Sequence, residues 1–160
     1  MKKDYSKEQI IIGRRERIDL PSLGIKSLKA KVDTGAFSSS IHCHKIYTKK
    51  IKKTNYLYFN LLEPSHPKYE ETFYEVSEFK QTKIKNSFGQ SETRYLIKLP
   101  ILISGQILET NFTLSNRSEM KYPILLGRDL LRGRFLVDVS KINLGAKLNN
   151  EHRKLISKKS

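Results

Sequence analysis

Short apolar runs, each closed by a turn signal, recur along the whole 160-residue chain. In Leu28–Val32 the apolar residues alternate with lysines, and in Asn55–Leu62 tyrosines and an asparagine alternate with Leu and Phe. A period of two residues is typical of half-buried β-strands, because successive side chains of a strand point to opposite faces. Turn residues separate the runs at Gly13, at Pro21-Ser22-Leu23-Gly24 and at Asp33-Thr34-Gly35. The pattern predicts a mainly β protein of many short strands.

The length fits one domain, which we expect to run from residue 9 to residue 146. Residues 1–8 are predicted to form a flexible N-terminal tail, and residues 147–160 a basic C-terminal tail that frays. Inside the domain, residues 63–80 lack a clear period and are interpreted as an insertion. Residues 83–97 form a predicted hairpin. One short helix is expected over Asp129–Arg132, with Gly133 just after its end.

The charge is the most unusual feature of the composition. Thirty-one Lys and Arg residues against 16 Asp and Glu residues give a net charge of +15. No apolar run approaches the roughly 18 residues of a membrane helix, and the N-terminal residues have no signal-peptide pattern. A single cysteine, Cys43, excludes an intramolecular disulfide and suits a reducing cytoplasm. We therefore expect a small cytoplasmic domain whose excess positive charge serves a partner or substrate.

The sharpest local motif is Asp33-Thr34-Gly35-Ala36, which directly follows a predicted strand. A glycine-containing turn after a strand can hold a carboxylate rigidly at the floor of a cleft. Two such carboxylates at about 3 Å share one proton, so one serves as general base and the other as general acid in peptide hydrolysis. The same tripeptide is also an ordinary turn, so a catalytic interpretation needs a second signal.

That second signal is the segment Ile124–Leu131, an apolar strand that ends in Gly127-Arg128 before the short helix. Together the two motifs resemble the retropepsin-type aspartic proteases. From about Ile12 to Leu144 the chain is similar to the bacterial family labelled ATP-dependent zinc proteases, also described as retropepsin-like ribosomal-modification proteases. The blocks that carry this resemblance occur in one order. They are Gly13-Arg14-Arg15-Glu16, Leu20-Pro21-Ser22-Leu23-Gly24-Ile25, Lys29 to Ala36, Ser39-Ser40-Ile41-His42, Asn86-Ser87-Phe88-Gly89, Thr93-Arg94-Tyr95, Asn116 to Pro123, Leu126-Gly127-Arg128 and Phe135-Leu136-Val137-Asp138.

The resemblance implies a small closed β-barrel of retropepsin-like type with one short helix. It also implies an aspartic mechanism, in which the predicted hairpin is a flap over the substrate. The expected site residues fall into three groups: catalytic Asp33, Thr34 and Gly35; substrate-binding Ala36, Ser87, Phe88, Gly89 and Arg117; and supporting Gly127 and Arg128. The sequence has neither the His-Glu-x-x-His helix of zinc proteases nor a phosphate-binding P-loop, so we expect no metal and no cofactor.

One chain supplies only half of such a site. Its five aspartates are Asp4, Asp19, Asp33, Asp129 and Asp138, and only Asp33 stands in an Asp-Thr-Gly turn. The resemblance therefore implies a homodimer in which Asp33 meets its symmetry mate. Retroviral enzymes carry a second aspartate four residues later, where this chain has Phe37. Arg128 therefore needs another partner, for which Asp129 and Asp138 are the candidates.

Two other kinds of site compete with this one. His42 and His44 share a strand face and could bind a metal, but two histidines are too few for a closed zinc site. Cys43 lacks a nucleophile context and is interpreted as a small buried residue. The positive charge favours an acidic peptide or protein substrate, and the resemblance implies glutamate-modified protein tails. The alternative is a basic RNA- or ribosome-associated module that keeps the protease fold without activity.

Overall fold

The computed structural model describes residues 8–86, 88–116 and 121–159. Within them lie eleven strands, two α-helices and one short 3₁₀-helix at Pro21–Leu23. The strands are β1 (Ile10–Gly13), β2 (Arg15–Leu20), β3 (Ile25–Val32), β4 (Ser39–Ile51), β5 (Thr54–Leu61), β6 (Tyr74–Val76), β7 (Lys80–Lys85), β8 (Ser91–Ile103), β9 (Gln106–Ser115), β10 (Ile124–Leu126) and β11 (Phe135–Asp138). The helices are α1 (Arg128–Leu131) and α2 (Ala146–Ser157). The predicted mainly β class is confirmed.

The main sheet runs in the order β10-β3-β2-β8-β9-β4-β5-β6, and β7 pairs with β8. A separate two-stranded sheet joins β1 and β11 in parallel. Strand β10 also reaches β4, but only through Ile124 opposite Ile41 and Leu125 opposite Ser40. Because this second contact is two residues long, the closed barrel stays a prediction.

The alternating pattern of the sequence corresponds to the observed burial. In β3, Leu28 and Ala30 are buried while Lys29 and Lys31 are exposed. The central strands contribute large side chains such as Phe59 and Phe112, both fully buried, to one hydrophobic core. Burial of each such side chain stabilises the folded chain by about 1.5–3 kcal/mol. No helix in the described part of the chain is long and apolar enough to cross a membrane.

Strand β4 is longer than the sequence indicates. The local pattern predicts a strand that ends at Cys43 and a basic connector at Lys49–Lys53, but β4 continues to Ile51 and pairs with β5 from Cys43 to Ile51. The chain reverses at Lys52-Lys53, where φ is +47° and +70°. The prediction is wrong here because hydrogen bonds to β5 keep the lysine-rich half of β4 extended, although this half has no buried face.

The C-terminal segment is a helix and not the predicted frayed tail. Helix α2 buries only Asn149. Its side chain bonds two distant backbone groups, accepting from the Gly105 N–H at 2.8 Å and donating to the Arg17 carbonyl oxygen at 2.9 Å. Arg153 forms two hydrogen bonds of 2.7 Å with Asp19. These polar contacts join α2 to residues more than 40 positions away in the chain. A local sequence pattern therefore does not predict how the helix is held.

The predicted insertion and the predicted hairpin both contain strands. Residues 63–80 contain the short strand β6, which pairs with β5. Strands β7 and β8 form an antiparallel hairpin from Lys80 opposite Leu96 to Lys85 opposite Ser91. Strand β8 continues through Pro100 to Ile103 and turns at Ser104-Gly105 into β9. The two hairpins therefore share one long strand.

Candidate active site

The Asp33 turn leaves the sheet where β3 ends beside β10. The Asp33 N–H donates to the Leu126 carbonyl oxygen at 2.9 Å, which continues the parallel pairing of β3 and β10 by one step. The Gly35 N–H donates to Asp33 Oδ1 at 3.0 Å, and the Ala36 N–H donates to the Asp33 carbonyl oxygen at 3.3 Å. The carboxylate is thus held by its own turn. The described residues give its other oxygen, Oδ2, no hydrogen-bond donor.

Gly127 lies against the far side of this turn. Its N–H donates to Ser39 Oγ at 3.0 Å, and a Cβ at this position would lie 2.6 Å from the Ser38 carbonyl carbon and 2.7 Å from the Phe37 carbonyl oxygen. Both are backbone atoms, which cannot rotate away. Only glycine therefore allows β10 to pass this close to the strand that follows the Asp33 turn.

Three hydrogen bonds connect α1 to the turn, two from Arg128 and one from Asp129. The Arg128 N–H donates to the Ala36 carbonyl oxygen at 2.9 Å, and the next N–H, of Asp129, donates to the Phe37 carbonyl oxygen at 2.9 Å. The Arg128 guanidinium donates to the Thr34 carbonyl oxygen at 2.9 Å. The side-chain partner of Arg128 is therefore Thr34, where the sequence suggests Asp129 or Asp138. Those two carboxylates instead accept hydrogen bonds from Asn111 and from Ser140.

The turn faces outward. Asp33 and Ala36 are half-buried, Thr34 and Gly35 are exposed, and Phe37 is 57% exposed. Phe37 follows the turn directly and is one of the large apolar side chains that the described residues leave exposed. The structure thus brings Asp33, Thr34, Gly35, Ala36, Gly127 and Arg128 together in one place.

The hairpin tip has its own geometry. The Asn86 side-chain oxygen accepts the N–H groups of Phe88 and Gln90, both at 3.0 Å. Gly89 has φ of +79°, which glycine adopts without strain, and Phe88 is 87% exposed. Two predicted binding residues, Ser87 and Arg117, lie outside the described residues.

The two histidines that could bind a metal contact a glutamate. His42, which is buried, lies with Nε2 2.5 Å from Glu63 Oε1, and His44 Nδ1 lies 3.8 Å from Glu63 Oε2. Glu63 thus contacts both histidines, and the described ranges contain no group of three or more His, Cys, Asp or Glu side chains placed to hold a metal ion. Cys43 is buried, as predicted, and burial raises the pKa of its thiol far above the usual range. A thiol held neutral in this way is a poor nucleophile.

Sequence reasoning misses two residues next to the site. Ser39 holds the Gly127 N–H, and Asn111 donates to Asp129 Oδ2 at 3.2 Å. Asn111 also lines a groove of about 870 Å³ with Lys80, Lys98, Glu75, Glu78 and five apolar or small residues. Ser39 belongs to one of the blocks that carry the resemblance, but no motif assigns it or Asn111 a role at the site, and the pairing of β4 with β9 brings both residues there.

The chain matches known proteins over most of its length. Residues 11–147 match the model of the RimB-like family, described as retropepsin-like aspartic endopeptidase RimB. A probable alpha-L-glutamate ligase of Desulfotalea psychrophila is 33% identical over 94% of this chain, which corresponds to 34% of the ligase. A probable alpha-L-glutamate ligase of Shewanella pealeana is 36% identical over 84% of this chain and 30% of its own length. The chain thus spans about a third of the length of these curated relatives.

A solved structure gives the same fold. The crystal structure of a Legionella pneumophila protein of unknown function aligns with a TM-score of 0.67 and 27% identity, covering 86% of this chain and 99% of that one. The mainly β architecture, the Asp33 turn supported by Gly127-Arg128 and the family match agree with one another. The chain belongs to the RimB-like family of retropepsin-like aspartic endopeptidases.

Proposed function

We propose that this protein is an aspartic peptidase whose catalytic dyad forms from Asp33 of two chains. The observation that carries the proposal is the Asp33 turn itself. It presents a carboxylate oxygen outward, and seven backbone or side-chain hydrogen bonds among β10, Gly127, α1 and the turn's own residues fix its position and that of the adjoining backbone. The family match supports the same chemistry.

The reaction follows from a shared proton between the two carboxylates. The ionised Asp33 removes a proton from water, whose oxygen attacks the scissile carbonyl carbon. The protonated Asp33 of the other chain gives its proton to the carbonyl oxygen. The first carboxylic acid then protonates the leaving nitrogen and the C–N bond breaks, while the second carboxylate takes a proton back from a hydroxyl of the tetrahedral intermediate, which restores the shared proton. No covalent bond to the protein forms. Thr34 and Gly35 orient the carboxylates.

The dimer is supported by the absence of a second Asp-Thr-Gly motif in the sequence and by the exposed side chain of Phe37. No other aspartate of the sequence stands in an Asp-Thr-Gly turn, and Phe37 exposes an apolar ring beside Asp33. A two-fold axis next to Asp33 would cover this ring and bring the second carboxylate to the first. The hairpin around Phe88 is proposed to close over the bound substrate and exclude water.

The proposed substrate is an acidic, glutamate-rich peptide or protein tail. The net charge of +15 attracts such a substrate over a distance. The curated relatives are named probable alpha-L-glutamate ligases, and the present chain corresponds to about a third of each. A peptidase domain within a glutamate-adding protein suits the removal or trimming of glutamate-rich segments. A cytoplasmic setting is proposed too, since the single cysteine is a buried free thiol.

The decisive experiment compares the wild-type chain with Asp33→Asn on a quenched fluorescent glutamate-rich peptide. We expect the substitution to abolish hydrolysis while leaving the circular dichroism spectrum and the melting temperature nearly unchanged, because the side chain is half-buried and the replacement is isosteric. Sedimentation velocity should give a dimer at the concentrations that support activity.

Two results would contradict the proposal. One is equal hydrolysis by the substituted chain. The other is loss of wild-type activity on adding a chelator while Asp33 proves dispensable. The alternative function, an inactive binding module, predicts no hydrolysis by either chain but measurable binding of oligouridine RNA with a steep salt dependence.

A further inference from the structure

The most basic region of the described chain is the hairpin of β4 and β5. Between Lys45 and Tyr58, which we name the lysine hairpin, the sequence has five lysines and no acidic residue. The lysines are Lys45, Lys49, Lys50, Lys52 and Lys53, and all are exposed. The groove that Asn111 lines is different, because two lysines and two glutamates line it together. Of these two surfaces, the hairpin has the unbalanced positive charge that attracts an acidic partner.

The turn of this hairpin is strained for the residues it contains. Lys52 and Lys53 both have positive φ, at +47° and +70°. Two-residue hairpins with this conformation strongly prefer Asn-Gly or Asp-Gly, because a Cβ is crowded at positive φ. A turn that keeps two lysines at this cost points to a use for their charges at the tip.

The outer edge of the hairpin is open. Strand β9 pairs with β4 only from Ser39 to His42, while β5 occupies the other side of β4 as far as Ile51. Within residues 8–86, 88–116 and 121–159, no strand pairs with the outer edge of Lys45–Ile51. Alternate residues of an antiparallel strand direct their backbone N–H and C=O groups away from the partner, so this edge can accept an added strand.

The aromatic side chains of the hairpin favour a peptide over a nucleic acid. Tyr47 and Tyr58 stack on each other with ring centroids 5.1 Å apart and planes 12° apart, and Phe73 contacts Tyr47 at 5.5 Å. Stacking occupies one face of each tyrosine ring, which reduces the aromatic surface available for the base stacking that single-stranded nucleic acids need. What the hairpin offers is an open strand edge surrounded by cations.

We propose that the outer edge of Lys45–Ile51 is a docking site for an extended acidic peptide, which adds to β4 as a further strand. The lysines repel another copy of the same basic edge and attract a strand of glutamates. Strand β4 begins at Ser39, which bonds Gly127 beside the Asp33 turn. Strand β9 occupies this edge of β4 from Ser39 to His42, so the open edge ends at Lys45, six residues or about 20 Å of strand from Ser39 at 3.3 Å per residue. A peptide that fills the seven positions Lys45–Ile51 and extends to the turn therefore needs about 13 residues or more.

Only cleavage of the docked peptide rests on the proposed function. Binding of the peptide to β4 does not require peptidase activity. Binding is therefore measured in the Asp33→Asn chain, which cannot consume the probe. The probe is a fluorescein-labelled peptide of 14 glutamates, and the readout is fluorescence anisotropy at a fixed salt concentration. Replacing Lys49, Lys50, Lys52 and Lys53 by Gln should weaken binding at least tenfold.

The matched control removes the same number of charges elsewhere. Lys147, Lys154, Lys158 and Lys159 are exposed on or just beyond α2, and their replacement by Gln should weaken binding less than threefold. A second variant, Lys52→Asn/Lys53→Gly, keeps the hairpin by giving it a favoured turn. It should raise the melting temperature and still weaken binding about threefold. Equal losses in the hairpin and helix variants would show a general charge effect and overturn the proposal.

Two further probes separate strand addition from charge. A 14-glutamate peptide methylated at every backbone nitrogen keeps its charge but has no N–H donors, and we expect it to bind at least tenfold more weakly. Equal binding of the methylated peptide, or tighter binding of a 14-nucleotide oligouridine through the same lysines, would overturn the proposal.

Cleavage by the active chain gives an independent check. The hairpin substitutions should raise KM for the 14-residue peptide and leave KM for a six-residue peptide unchanged, since only the longer one spans both places. An equal rise in KM for both lengths contradicts the docking site. Absence of any cleavage, with binding as expected, contradicts the proposed peptidase and leaves the docking site supported.

Discussion

The close approach of Gly127 to the Asp33 turn makes Gly127→Ala a sharp test of the site. The added Cβ would lie 2.6 Å from the Ser38 carbonyl carbon and 2.7 Å from the carbonyl oxygens of Phe37 and Ser38. Gly127 has φ of −94° and ψ of 174°, an extended conformation that alanine adopts freely. The cost is therefore steric, and the chain can relieve it only by moving one backbone segment away from the other.

The magnitude follows from that movement. A distance of 2.7 Å is about 0.7 Å short of the 3.4 Å at which ordinary contact begins. Overpacking of this kind costs about 1–3 kcal/mol. Separation of the segments also weakens the hydrogen bonds from the N–H groups of Arg128 and Asp129 to the turn, each worth about 1 kcal/mol. We expect a loss of about 2–5 kcal/mol in the free energy of unfolding, together with a displaced Asp33 carboxylate.

Two measurements check this expectation: urea unfolding followed by circular dichroism, and hydrolysis of a glutamate-rich peptide at a temperature where the variant is folded. Gly24→Ala is the control. Gly24 has φ of +69°, and an added Cβ would meet nothing within 4 Å, so alanine there costs about 1–2 kcal/mol and leaves the site untouched. The reasoning is refuted if Gly127→Ala loses no more stability than Gly24→Ala, or if it keeps full activity.

Three further predictions concern polar contacts that hold distant segments together. Burial would raise the pKa of Asp19, but hydrogen bonds from Arg153 and a backbone N–H outweigh it and lower the pKa below 3.8. Because the folded-state pKa of Asp19 is lowered, the ionised carboxylate stabilises the fold at pH values above its unfolded pKa. This stability is lost as the pH falls through the folded-state pKa. Asp19→Asn should therefore flatten the dependence of the urea midpoint on pH below about 4. Arg128→Lys cannot reproduce the planar guanidinium contact with Thr34 and should lower kcat at least tenfold with a melting temperature close to that of the wild type. Asn149→Ala removes the side chain that bonds the Gly105 N–H and the Arg17 carbonyl oxygen, and should lower the free energy of unfolding in urea by about 2–4 kcal/mol. Unchanged stability of this variant would show that water replaces the side chain.

The class of the fold and the location of the Asp33 turn follow from local sequence. The alternation in β3 and β5 reflects a strand with one buried face, and the period of two residues is visible without any knowledge of neighbours. The Asp-Thr-Gly turn and the later Gly127-Arg128 segment are short motifs whose chemistry depends on residues adjacent in the chain. The need for a second aspartate also follows from counting aspartates in the sequence.

Contacts between distant segments decided the rest. Helix α2 leaves Leu148, Leu155 and Ile156 exposed and buries only Asn149. Its place therefore depends on Asn149 and on the Arg153–Asp19 pair, which no local pattern reveals. The partner of Arg128 is a backbone oxygen of Thr34, and a carbonyl group leaves no signature in the identity of a residue. The lysine-rich half of β4 is a strand because β5 pairs with it. Local periodicity predicts an element that buries its own face, whereas an element held by hydrogen bonds to a remote partner exists only once the chain has folded around it.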